Sequence, residues 1–197
     1  MDEKVNIYTF LNKEFEIINH WLSFAEAKNA AIIALDTALI GILGRIIISE
    51  YVSKNNCLLI LMVLILILIT ISLILALFSF LPKFDGNSFI IKMPNKISDF
   101  FKFDAGKKGK SCIEKNYIFY KNIANLENAD EYLKLLKRDY NFNYFPNDQY
   151  ISDMAQEIYI NSKVAVLKFS YFRWSSTVLI LALVMALCGF IITFCVA

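Results

Sequence analysis

The feature that most constrains this chain is the run from Cys57 to Leu81, 25 residues without one charged side chain. About 20 apolar residues in a helix cross a hydrocarbon core, so the run reads as a transmembrane helix. Trp174 to Val196 adds 23 uncharged residues and reads the same way. A third stretch, roughly Asn29 to Ile48, is long enough to span but carries Asp36 and Arg45. The composition points to the same class: 57% hydrophobic residues is unusual for a soluble domain of 197 residues. The opening, MDEKVNIYTFLNKEFEIINH, is acidic and amphipathic with no apolar core before small residues. The first span is therefore expected to serve as the insertion signal. Cys57, Cys112, Cys188 and Cys195 have no metal-like spacing, so neither a zinc site nor a disulfide framework is expected.

Charge placement sets the expected topology. Of the 20 Lys and Arg residues, 15 lie between Lys83 and Arg173, whereas the short link SEYVSKNN holds only Lys54. The positive-inside bias puts residues 83–173 and the N-terminus in the cytoplasm, with the link and Ala197 outside. The expected fold is an all-α membrane protein with three transmembrane helices, the first and last extended into the cytoplasm as amphipathic stalks. A small mixed cytoplasmic segment separates spans 2 and 3. In residue numbers, 1–25 is a cytoplasmic amphipathic helix, 26–49 the first span, 50–56 the external link and 57–81 the second span. The cytoplasmic segment is 82–147, the stalk helix 148–173 and the third span 174–197.

Within the cytoplasmic segment Pro82, Gly86 and Pro94 interrupt regular structure, and DAGKKGKS reads as a polar loop. NYIFYKNI has the aromatic and β-branched content of a short strand, and ADEYLKLLKRDY reads as a helix capped by Asn128. Pro146 and Asn147 break the chain again, and a helix from Asp148 to the C-terminus would be roughly 75 Å long.

Two stripes recur at steps of three and four residues. Tyr8, Leu11, Phe15, Ile18, Leu22 and Ala25 form the first, and Ile151, Ala155, Ile158, Ser162, Ala165, Phe169 and Phe172 the second. Each is expected either to pair as a parallel stalk or to pack on the cytoplasmic segment. Continued into the membrane, the first stripe reaches Asn29, Ile32, Asp36 and Leu39, which puts Asp36 on the packed side. A charge at the bilayer centre costs at least ~3 kcal/mol on insertion scales and normally finds a polar partner. Thr70, at a similar distance from the external link, is the candidate partner. Asp36 then serves either as a protonated hydrogen-bond donor between helices or as part of an ion pathway or polar switch. Arg45 is near enough to the outer end to snorkel, and Trp21 and Trp174 suit the cytoplasmic interface.

GKKGKS invites comparison with a phosphate-binding P-loop, but the position that requires the first glycine is Asp104 and no apolar strand leads into it. A solvated basic loop is the better reading. His20 is the only histidine, and no nucleophile or metal-ligand set accompanies it. No catalytic residue and no metal site are expected.

Three segments resemble one family in the same order. FAEAKNAAIIALDTALIGIL is similar to the first-span signature of Pycsar-type transmembrane effectors, in which an acid, a lysine two residues later and small residues lead into an apolar helix with a mid-helix Asn or Asp. Glu26, Lys28 and Asp36 occupy those places. The similarity continues in NYIFYKNIANLENADEYLKLL and in ISDMAQEIYINSKVAVLKFSYFRW. The resemblance implies a prokaryotic antiviral effector of the inner membrane. A cyclase activated by phage makes cyclic CMP or cyclic UMP, and the effector responds by impairing the membrane and stopping growth. It implies no cofactor, with a cyclic mononucleotide as regulatory ligand. The partners are the lipid bilayer, the second messenger and other copies of the chain, without any nucleic-acid polymer.

An anionic cyclic nucleotide needs cationic or amide donors for its phosphate and a flat apolar surface for its base. Tyr117, Phe119, Tyr120, Lys121 and Asn122 offer both in one run, and Gln156, Lys163 and Lys168 lie on the stalk. These eight are the candidate ligand-binding residues; Glu26, Lys28, Asp36 and Thr70 are the candidate intramembrane polar or switch residues. A membrane scaffold that recruits a cytoplasmic partner, or a small transporter or channel subunit, are the alternative functions.

Overall fold

The computed structural model describes residues 6–49, 52, 56–81, 116–142 and 148–196, with side chains to residue 191. The GKKGKS loop, the breaks at Pro82, Gly86, Pro94 and Pro146, and most of the link 50–56 lie outside the described residues. Five helices are present among those described: α1 (Ile7–Ile47), α2 (Asn56–Phe78), α3 (Tyr120–Ala124), α4 (Ala129–Asp139) and α5 (Gln149–Val196). Three of them, α1, α2 and α5, are long and apolar enough to cross a membrane. Their apolar side chains face outward in large number, among them Ile60, Ile67, Leu181 and Leu187.

No strand occurs among the described residues, which corrects the reading of NYIFYKNI. Tyr117 to Phe119 form a turn and α3 follows. The side chain of Asn116 accepts from the Ile118 N–H at 2.9 Å, and Asn122 Nδ2 donates to the Asn116 carbonyl at 2.8 Å. These local bonds take backbone groups that a strand would offer to a neighbour. By contrast α4 begins where its residues direct. Asn128 accepts from the Glu131 N–H at 2.8 Å, and Glu131 reaches back to the Glu127 N–H at 2.7 Å. Acids fill its first turn and Lys137 and Arg138 its last, as the helix dipole favours. Asn141, with φ 55°, lies just beyond the helix in the left-handed conformation that an Asn tolerates.

The chain divides into two compact units, and α1 and α5 contribute residues to both. Unit 1 comprises Met1–Phe24 and Pro82–Leu167. Its core joins Leu11 and Ile18 of α1, Tyr132 and Leu136 of α4, and Ile151, Ala155 and Ile158 of α5. Tyr150 donates to Asn12 at 2.8 Å and Asn161 to Asn19 at 3.0 Å; separations of 138 and 142 residues show the two helices running parallel there. The buried stripe of α1 is Ile7, Leu11, Glu14, Ile18 and Ala25, so Glu14 takes the place that hydropathy alone assigns to Phe15.

Unit 2 comprises Ala25–Leu81 and Lys168–Ala197. On α5 the buried positions run Ile151, Ala155, Ile158, Ser162 and Ala165 in steps of four and three, then take two further steps of three to Lys168 and Tyr171 before a step of four to Ser175. A step of three turns a helix backward by about 60°, so the buried face rotates at this point. Phe169 and Phe172, expected on the stripe, fall beside it and stand over Lys28, whose Nζ lies 5.8 and 5.1 Å from their ring centres. Toward the far end of α5, Gly189 admits a close approach by Leu61 that a β-carbon would obstruct.

Candidate functional site

Unit 1 holds seven of the eight candidate ligand-binding residues. Phe119 and Tyr120 form an aromatic shelf, their ring centres 4.7 Å apart. Trp21 of α1 completes it, 6.4 Å from Phe119 and 5.4 Å from Tyr120. The amphipathic ring of Trp21 suits the cytoplasmic interface, and its place in this cluster depends on a contact about a hundred positions away in the chain. Tyr117 is buried, and burial pushes both its phenol and that of Tyr120 above the usual tyrosine range. Each therefore keeps its proton near neutral pH and can donate it. Lys121 and Gln156 are exposed, and Lys163 donates to the Tyr159 hydroxyl while standing over that ring at 4.2 Å. Tyr159 in turn donates toward the carbonyl oxygens of Leu126 and Glu127, at 3.2 and 2.7 Å. Unit 1 thus carries flat aromatic surface, neutral phenols and cations, the kinds of group that a nucleotide anion requires.

Lys168, the eighth, belongs to unit 2 and pairs with Glu26 at 2.5 Å. One turn along α1, the Asn29 amide donates to the carbonyls of Ala25 and Lys168 at 2.9 and 3.1 Å. One heptad further Asp36 is fully buried, and its Oδ2 lies 2.7 Å from the Ser72 hydroxyl. That hydroxyl also lies 3.0 Å from the Ser175 carbonyl, so one polar layer links α1, α2 and α5. The expected partner, Thr70, is instead exposed and donates to the Leu66 carbonyl of its own helix at 2.8 Å. Two residues along a helix is a rotation of about 200°, which puts Thr70 on the face opposite Ser72.

Sequence reasoning missed Glu14. It is 2% exposed, and burial pushes its carboxyl up to about 7. Tyr132 on α4 is fully buried, and its phenol is raised by burial and by the nearby Glu14. Among the described residues neither Glu14 Oε1 nor the Tyr132 hydroxyl has a hydrogen-bond partner. Nor do those residues gather three or more His, Cys, Asp or Glu side chains where a metal ion would sit.

Together these features define a multi-pass helical membrane protein with buried polar residues between its apolar helices and a second helical unit built largely on apolar contacts. Comparison with known families then places it: residues 10–195 match the Pycsar effector protein domain, and the chain belongs to that family. It is thereby an effector of prokaryotic antiviral cyclic-nucleotide signalling, and the family is a non-enzymatic one. Neither the curated proteins nor the solved structures give a match.

Proposed function

We propose that the protein is gated by a cyclic pyrimidine mononucleotide, cyclic CMP or cyclic UMP, and that in response it impairs the inner membrane and stops the growth of infected cells. The observation that carries this reading is a family match over nearly the whole chain, combined with three apolar helices. The ligand is received in unit 1. Phe119 and Tyr120 stack the base, while Lys121, Asn122, Gln156, Lys163 and the Tyr117 hydroxyl supply donors to phosphate and sugar. N-terminus and residues 82–173 face the cytoplasm, where the nucleotide is made. The protein works as a homo-oligomer, since three spans are too few to enclose a broad pore.

The test is leakage of ions and dye from liposomes that contain the purified chain, against a panel of cyclic nucleotides. Leakage on addition of cyclic CMP or cyclic UMP, and not of their linear monophosphates, is expected. Absence of both binding and leakage across the panel contradicts the reading.

A further inference from the structure

Heptad arithmetic orders the interior of unit 2 into layers. Ser72 meets Asp36 and Ser175. One heptad back on α1 and α5 come Asn29 and Lys168, and seven residues on from Ser72, in the turn just past the end of α2, comes Ser79. Lys168 Nζ standing 5.6 Å over the Phe80 ring agrees with that depth. One heptad the other way come Leu43, Ile65 and Ala182, all buried in one apolar cluster with Ile69 and Leu179. Two polar layers are therefore followed by an apolar block. The Glu26–Lys168 pair stands at the polar end, and α2 contributes no charged residue anywhere along its length.

Polar groups that only glue spans together pair with one another. Here three buried oxygens do not: Asn29 Oδ1, Asp36 Oδ1 and the Ser79 hydroxyl have no hydrogen-bond partner among the described residues. Proton counting sharpens the point. The Ser72 hydroxyl carries one hydrogen but stands within hydrogen-bonding distance of both Asp36 Oδ2 and the Ser175 carbonyl. Both contacts are hydrogen bonds at once only when the Asp36 carboxyl carries a proton and donates it to Ser72, which then donates to Ser175.

We infer that the polar half of unit 2 is a file for water and protons, which starts at Glu26 and Lys168, passes Asn29 and Ser79, ends on Asp36, and is shut by the apolar block. Asn29 Oδ1 and Asp36 Oδ1 accept while the Ser79 hydroxyl can both donate and accept, a mixture that water, itself donor and acceptor, satisfies. A hard metal cation takes about six oxygens in one shell, which two such thin layers do not offer. The layers are about 10.5 Å apart, a distance that a short file of waters bridges at about 2.8 Å per step. Of the buried residues between them, Ala76 is small and Tyr171 carries a hydroxyl. An apolar constriction blocks such a file by excluding water from it, and parting the block opens a proton leak.

This inference rests on the proposed membrane output, but its test needs no nucleotide. The full chain and variants are placed in liposomes under a potassium diffusion potential, with an internal pH dye and a trapped fluorescent dye. Ile65→Ser is expected to raise proton flux about tenfold without releasing the trapped dye, by wetting the apolar block. Adding Asp36→Asn is expected to bring it back toward the parent rate, and Ile67→Ser, on the outward face, to leave it unchanged. Flux at the parent level in a folded, monodisperse Ile65→Ser protein overturns the file, as does equal release of the large dye. Should Ile65→Ser fail to fold, infrared spectroscopy of the parent decides. The carboxyl band that Asp36→Asn removes shifts within minutes in D2O if the file meets water, and stays in place if Asp36 is sealed. A file that fails here leaves nucleotide-triggered leakage through an assembled pore intact, whereas loss of that leakage alone strikes at the gating reading.

Discussion

The cores of the two units differ in how many polar side chains they bury. In unit 1 the buried residues include Leu11, Ile18, Leu136, Ile151 and Ile158, with Glu14 and Ser162 as the polar exceptions. In unit 2 the fully buried positions include Asn29, Asp36, Ser72, Ser79 and Ser175, while Ile60, Ile67 and Leu187 face out. The difference is one of solvent. In water, removing apolar surface drives packing. In lipid that gain vanishes, and helices are held by close contact and by hydrogen bonds between them. One chain thus uses two codes, and α1 and α5 each carry both.

Several substitutions probe this contrast, ordered by expected effect. Leu136→Ala empties a fully buried site of unit 1 and is expected to cost about 2–5 kcal/mol, read as a lowered unfolding midpoint in detergent. Next comes Glu14. Its folded carboxyl is pushed up to about 7 from an ordinary 4.5, so the folded protein holds a proton that the unfolded chain has already released. Stability is full below pH 4.5 and falls as pH rises through about 7. The slope is at most about 1.4 kcal/mol per pH unit, and Glu14→Gln is expected to abolish it in melts taken across that range. A slope unchanged in the variant would remove Glu14 from this role. Asn128→Ala takes the cap from α4 and is expected to cost about 1 kcal/mol, with a matching loss of protection of the first α4 amides from hydrogen exchange. The smallest effect belongs to the membrane: a double-mutant cycle on Asp36→Ala and Ser72→Ala is expected to give a coupling of about 0.6 kcal/mol, up to ~1.7. A coupling as large as the loss in unit 1 would break the comparison.

How much of this was legible in the sequence follows the same division. The spans announce themselves, because a run of 25 residues without charge leaves few other uses. That Asp36 faces inward was also readable, since its position continues the α1 stripe. Its partner was not. Ser72 and Thr70 differ by two residues, depth counted along a span has that much latitude, and a two-residue error reverses the helix face. Glu14 was hidden by its neighbour: hydropathy prefers Phe15 at a buried position, and only the packing of α4 against α1 puts the acid there. The aromatic run NYIFYKNI resembled a strand by composition until the hydrogen bonds of Asn116 and Asn122 closed it into a turn. Lys168 is a cation on the stalk in sequence, and its ion pair with Glu26 follows only from the rotation of the buried face of α5. Local pattern reveals elements, whereas partners depend on which faces meet.

The most direct test of a nucleotide-gated membrane effector is the membrane potential of living cells that express the chain, followed with a potential-sensitive dye as a cyclic CMP or cyclic UMP cyclase is induced. The potential is predicted to collapse within minutes of cyclase induction in cells with the intact protein, and to hold in cells that make the same nucleotide without it. An undisturbed potential in cells shown to hold the nucleotide and the intact protein would contradict the account.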